Sequence, residues 1–343
     1  MPVEALAASI AELPGRLGEI FYYIVLPVLL LAAVGWILQR KLGLDMPTLT
    51  RLNFYFVVPG LVYVSLLTSR LHGAEVAQVV IYGVAMLAAM GAVTWVVGRV
   101  RGVPPDERNA MLMTTIFNNS GNYGLPLQDL AFAKAGLSAE ARMMQVFVMI
   151  VQNVSGFTLG VWLAASGGDG RRWRENLMHI AKFPPIYALI AALATLWVRG
   201  ALGADAAASA GRALKPFWDV LLHVKSAFVA VAICTLGAQL ATVARGGRRY
   251  PVTLSVVLRL LVGPAVAAGV IYAMGIRGLM AQVLLISSAT PTAVNCMLFC
   301  LQFDNHPDYA ARAVFYSTLL SPITVTGVIF LAQGNVLPGF ALP

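Results

Sequence analysis

Apolar residues run through this chain in long blocks, and the short stretches between them carry Gly, Pro and charge. The blocks lie at 18–39, 50–69, 75–98, 107–134, 142–166, 178–198, 213–242, 252–274, 278–302 and 310–332. A helix needs about 20 mostly apolar residues to cross the hydrocarbon core of a bilayer. Each block therefore predicts one span, and the chain predicts about ten. The connecting segments are short; the longest are 167–177 and 199–212. Trp36, Trp95, Trp162, Trp197 and Trp218 fall near span ends, where an amphipathic ring suits the membrane interface.

Composition agrees with this reading. Hydrophobic residues make up 59% of the 343 residues and charged ones 11%, with mean hydropathy +0.78. A soluble domain carries about 25% charged residues, and no soluble core could bury so much apolar surface. The net charge of +9 would suggest nucleic acid in a soluble protein. Here the cations cluster in loops, where they serve topology and lipid headgroups, so no nucleic-acid partner is expected. Lys and Arg number thirteen in the odd-numbered loops and eight at the N-terminus and in the even-numbered loops. That excess places the odd loops in the cytoplasm and both termini outside. Residues 1–17 do not read as a signal peptide, because Glu4, Glu12 and Pro14 interrupt them.

Two spans are interrupted. Span 4 contains Asn118-Asn119-Ser120-Gly121-Asn122-Tyr123-Gly124-Leu125-Pro126, and span 9 contains Ser287-Ser288-Ala289-Thr290-Pro291-Thr292 with Asn295 one turn on. Gly121 and Gly124 favour unwound backbone, and Pro126 suits the first turn of a new helix. Freed polar groups at this depth are costly unless they line a cavity. Each break leaves a half-helix N-terminus near the midplane, at Pro126 and at Thr292. Two such positive ends favour an anion. The carbonyl ends near Asn118 and Ser288 are the matching cation-friendly ends. The simpler alternative is a pair of repaired Pro/Gly kinks. The breaks hold equivalent places in two halves of five spans each, 1–166 and 178–343, joined by the loop 167–177. An odd number of spans per half is the arithmetic of an inverted repeat.

At these residues the chain resembles the auxin efflux carrier family. Asn119 followed by Gly124-Leu125-Pro126-Leu127 is similar to that family's fourth-helix motif, and 289–295 (ATPTAVN) to its ninth-helix break. The stretch 49–69, with Asn53 and Pro59, resembles its second helix, and 315–325 its tenth. Gln152 matches a fifth-helix Gln of the family. The resemblance implies an all-α polytopic membrane protein with a 5+5 inverted repeat and crossing broken helices 4 and 9. It also implies scaffold and transport parts like those of bile-acid symporters and antiporters, with elevator-type alternating access. It further implies organic-anion substrates such as auxin, malate or malonate. The short 167–177 loop, where plant carriers often have a long one, favours a bacterial-type member in the cell inner membrane.

The expected substrate-binding set is Asn118, Asn119, Gly121, Gly124, Pro126, Gln152, Thr290, Pro291 and Asn295. For Gln152, contact with the crossing and an interhelical hydrogen bond are even alternatives; Asn153 reads as the latter. Asp129, Lys225 and His223 are candidates for coupling or counter-charge, since intramembrane ionisable groups are functional hypotheses by default. Asp219 and His223, at i, i+4, could form a pair that titrates near neutrality. Lys182 reads as an inner-face anchor, and Arg259 as a side chain that snorkels to the cytoplasm. Cys234, Cys296 and Cys300 have no zinc spacing and read as packing residues. No P-loop, His-Glu-x-x-His or Gly-x-Ser-x-Gly signature occurs. The expected function is a secondary transporter of a small organic anion, not an enzyme. It needs no cofactor, and coupling to H⁺ or Na⁺ and homodimer formation are left open. A cation or proton antiporter on the same architecture, or a non-transporting membrane receptor, are the alternatives.

Overall fold

The structure is a computed structural model that describes residues 14–68, 73–165, 184–202, 204–242, 251–334 and 336–342. The 167–177 loop, Lys182, His72 and His179 lie outside the described residues. Among the described residues, eight helices are long and apolar enough to cross a membrane: α1 (Pro14–Leu42), α2 (Met46–Thr68), α3 (Gly73–Val100), α5 (Ser138–Ala164), α6 (Pro184–Ala201), α7 (Lys215–Thr242), α8 (Thr253–Ala273) and α10 (Pro307–Gln333). The fourth and ninth positions hold split helices. α4a (Pro105–Ile116) is followed by α4b, which starts with the wide turn Ser120–Gly124 and continues as Leu125–Ala131. α9a (Gly278–Ser288) is followed by α9b (Val294–Gln302). The segment 199–212, expected as a loop, instead contains a helix at Ala204–Ala213. Its Ala-rich sequence has high helix propensity.

The helices pack in two groups. α1, α2, α6 and α7 pack chiefly on one another, and so do α3, α4, α5, α8, α9 and α10. In the first group, α1 and α7 touch backbone to backbone at Gly35 and Gly237. A Cβ on Gly35 would lie 1.9 Å from the Cys234 carbonyl oxygen, and one on Gly237 would lie 1.8 Å from that of Ala32. Helices in lipid gain from such small residues, because close approach maximises dispersion contacts where no water is left to expel. α2 and α6 are joined by Tyr63 and Thr195, whose oxygens are 2.9 Å apart.

The second group is threaded by side-chain hydrogen bonds. Tyr82 of α3 donates to the Leu284 carbonyl at 3.4 Å, Gln128 of α4b to that of Val283 at 2.9 Å, and Gln333 of α10 to that of Ala131 at 3.0 Å. Ser255 of α8 and Tyr309 of α10 are 2.6 Å apart.

At the membrane edges, Arg40 lies 5.3 Å from the Trp36 ring and Arg99 lies 4.9 Å from the Trp95 ring. Both arginines sit in the last turns of α1 and α3, where a cation complements the helix dipole, and each indole lies one turn before its arginine. Asp45 caps α2 by accepting from the Thr48 N–H at 3.0 Å and from the Thr48 hydroxyl. Those hydrogen bonds hold its carboxyl below the usual carboxylate range.

Candidate functional site

The two breaks lie side by side and run antiparallel. Asn118 and Thr292 form a β-bridge, the single such pairing among the described residues. The Asn119 N–H donates to the Pro291 carbonyl at 2.7 Å, and the Ala293 N–H to that of Phe117 at 3.0 Å. Side chains finish the join. The Asn118 amide donates to the Ser287 carbonyl at 2.8 Å and to the Thr290 hydroxyl at 2.7 Å. The Thr292 hydroxyl donates to the Thr114 carbonyl at 2.8 Å. Unwound backbone at this depth must have its hydrogen bonds met inside the protein, and here each break supplies the other's partners.

Arg259 completes the join. Sequence reasoning sent it toward the cytoplasm; instead it is 2% exposed. One amine of its guanidinium donates to the Thr115 carbonyl at 2.8 Å and the other to the Ser288 carbonyl. These are the last turns of α4a and α9a. A wide turn at Leu258–Val262 interrupts α8 at this residue. The physical reason for the difference is the pair of helix C-termini, which offer two carbonyls and negative potential closer than the interface does.

A cavity of about 40 Å³ opens beside the join, space for a few waters or a carboxylate head. Seven side-chain amides line it: Asn118, Asn119, Asn122, Asn153, Asn295, Gln152 and Gln239. Phe117 and Phe299 supply its apolar side, and none of the lining residues is charged. Ser120 to Asn122 and Val294 to Cys296 also line it, so the first turns of both α4b and α9b face the same space. Neither helix start has a side-chain cap. The cavity therefore receives two positive helix ends from opposite directions. The Asn119 amide nitrogen is buried with no partner in the protein, as are the amide oxygens of Gln152 and Gln239. Turning either Gln amide by 180° would present its NH₂ to the cavity.

Of the residues singled out from the sequence, Asn118, Asn119, Gly121, Gln152 and Asn295 meet at this cavity. The others sit elsewhere. The Thr290 hydroxyl is fully buried in the join, donating to the Ser287 carbonyl at 2.7 Å. Pro291 contributes its carbonyl to Asn119, and Pro126 lies in the first regular turn of α4b. Gly124 leaves room for Gln145: a Cβ there would lie 2.4 Å from the Gln145 amide nitrogen, which donates to the Ser120 carbonyl at 2.8 Å.

None of the ionisable candidates lines the cavity. The Asp129 carboxylate is 2.6 Å from the Arg142 guanidinium, with both side chains mostly buried. The expected Asp219–His223 pair does not form through the carboxylate. Asp219 pairs with Lys215 at 2.6 Å, and His223 Nδ1 lies 2.7 Å from the Asp219 carbonyl. A flexible lysine one turn back competes better for the carboxylate than a ring held against its own helix.

Sequence reasoning missed Gln239, which enters from α7. Asn153 makes the interhelical hydrogen bond expected of it, its oxygen lying 3.4 Å from the Asn295 amide, and it also lines the cavity. Asn53 of α2 donates to the Asn122 oxygen at 2.9 Å, which ties the first helix group to the join. The available signal was a lone amide inside an apolar span, which is costly unless it has a partner.

A sequence model of the family described as membrane transport protein matches residues 20–329. The chain belongs to that family. The match takes in both broken helices and the whole cavity. The transporter is 26% identical over 309 residues to an uncharacterized transporter of Methanothermobacter thermautotrophicus, covering 88% of this chain and 95% of the archaeal one. It is also 34% identical over 90 residues to auxin efflux carrier component 1 of Arabidopsis thaliana. That stretch is 26% of this chain and 14% of the plant protein. A probable auxin efflux carrier component 1c of rice matches at 34% over 80 residues, again 14% of its length. The resemblance to auxin efflux carriers thus holds. The transporter is an all-α, multi-pass membrane protein and not an enzyme.

Proposed function

We propose that this transporter is a secondary carrier of a small organic anion, most simply a carboxylate such as a dicarboxylate or an auxin-like acid. The observation that carries the reading is the convergence of two uncapped helix N-termini on one cavity lined by seven amides. Amide N–H groups and helix dipoles attract an anion without a fixed charge to trap it, which suits a site that must also release its ligand. The carboxylate head sits against Asn119 and the start of α4b, and its organic part extends along Phe117 and Phe299.

The division of the helices supports an elevator. Each half of the chain gives its first two spans to one group and its other three to the other, and the two breaks run antiparallel, as an inverted repeat requires. In this reading the six-helix group carries the cavity and slides against the α1, α2, α6 and α7 frame. The carrier sits in the cell inner membrane with both termini outside.

The test is binding and uptake of malate, malonate and auxin by purified protein in liposomes. Asn119→Ala removes an unpartnered buried donor and leaves the backbone bond to Pro291 in place. A hydrogen bond to a charged ligand contributes about 1.5–3 kcal/mol, so affinity for the transported acid is expected to fall about 10- to 100-fold. Unchanged uptake in that variant would remove Asn119 from the site. Transport of none of the acids, with cation gradients alone driving turnover, would favour the antiporter instead.

A further inference from the structure

We propose that the Arg259 side chain is a resident cation, occupying the ion site that two helix C-termini would otherwise form for an exchangeable sodium or potassium ion. Each helix end carries about half a negative charge. α4a and α9a end within reach of one another, so together they present roughly one negative charge and a set of carbonyl oxygens. That is the chemistry of a monovalent cation site inside a membrane protein.

In this chain a single guanidinium bridges the two ends through Thr115 and Ser288. Three neighbouring carbonyls also have protein donors. Thr292 serves the Thr114 carbonyl at 2.8 Å, Asn118 serves that of Ser287 at 2.8 Å, and the Ala293 N–H serves that of Phe117 at 3.0 Å. The room for the guanidinium is built in as well. A Cβ on Gly263, one turn beyond Arg259 in α8, would lie 3.0 Å from its terminal amine. The planar two-pronged donor fits two carbonyls at once, which a lysine ammonium does less well. Arg259 itself is not among the residues that line the cavity.

The consequence is a carrier whose crossing needs no inorganic ion to hold together. This stands on the join itself. Only the corollary, that anion binding is independent of sodium, rests on the organic-anion reading, so the test is made without any substrate.

The experiment is thermal unfolding of the purified carrier in detergent, in sodium chloride and in choline chloride. The wild type is expected to melt at the same temperature in both. Arg259→Ala leaves two buried carbonyls unpaired and is expected to melt about 5–10 °C lower. Millimolar methylguanidinium is expected to restore at least half of that loss while leaving the wild type unmoved. Arg259→Lys, which keeps the charge, is expected to fold even where the alanine variant does not, and to remain insensitive to sodium. Stabilisation of the wild type or of Arg259→Lys by sodium over choline overturns the proposal. So does an Arg259→Ala protein that responds to methylguanidinium no more than the wild type does.

Discussion

Gly237→Ala is expected to loosen the α1–α7 contact and to cost the carrier about 3 kcal/mol or more. The new Cβ would lie 1.8 Å from the Ala32 carbonyl oxygen and 2.6 Å from its carbon. Both are backbone atoms of α1, so no side chain can turn aside. The helices must separate by about 1–2 Å to reach ordinary contact distances, and dispersion falls steeply over that range. Gly35→Ala is expected to do the same from the other side, because its Cβ would lie 1.9 Å from the Cys234 carbonyl oxygen. The measurement is the melting temperature in detergent, with an expected fall of roughly 6–12 °C. Gly91→Ala in α3 is the control. Nothing lies within 4 Å of its new Cβ, and an alanine in a helix interior gains about 0.5–1 kcal/mol over glycine. A Gly237→Ala protein that melts with the Gly91→Ala control would show that the contact is not tight.

Asp129→Asn is expected to destabilise the carrier by about 2–4 kcal/mol without abolishing substrate binding. The carboxylate and the Arg142 guanidinium are 2.6 Å apart, with side chains 14% and 13% exposed. Removing one partner leaves the other charge poorly solvated, which is costlier than removing both. The double variant Asp129→Asn with Arg142→Gln is therefore expected to recover part of the loss, giving a favourable coupling in a double-mutant cycle. Melting temperature reports the stability and liposome uptake the function. A single variant that melts like the wild type but no longer transports would return Asp129 to the coupling role.

The architecture was legible because lipid imposes a simple code. Long apolar blocks must be helices, and Asn118 to Pro126 and Ser287 to Thr292 are too polar and too rich in Gly and Pro to continue one. New half-helices were expected from Pro126 and Thr292; they begin at Ser120, with a wide turn, and at Val294. What sequence could not supply was direction. Thr290 and Asn119 are both small polar residues at a break, yet one hydroxyl is consumed by the join while the other residue's amide faces the cavity. Arg259 was misread for the same reason. Its place in α8 gives depth, but only the folded chain shows that two carbonyl ends from distant segments meet its guanidinium. Gln239 and Asn53 reach the join from the other helix group, a proximity that periodicity along one helix does not encode. Asp219 shows the limit of spacing rules: i, i+4 suits His223, but Lys215 stands at the same spacing on the other side.

The seven amides of the cavity bear on what the carrier can sense. Amides neither take up nor release protons in the physiological range, and no carboxylate, imidazole or amine stands among the lining residues. The site is thus blind to acidity in its own right. Under the organic-anion proposal, the ionisation of the cargo, rather than of these amides, sets how binding varies with pH.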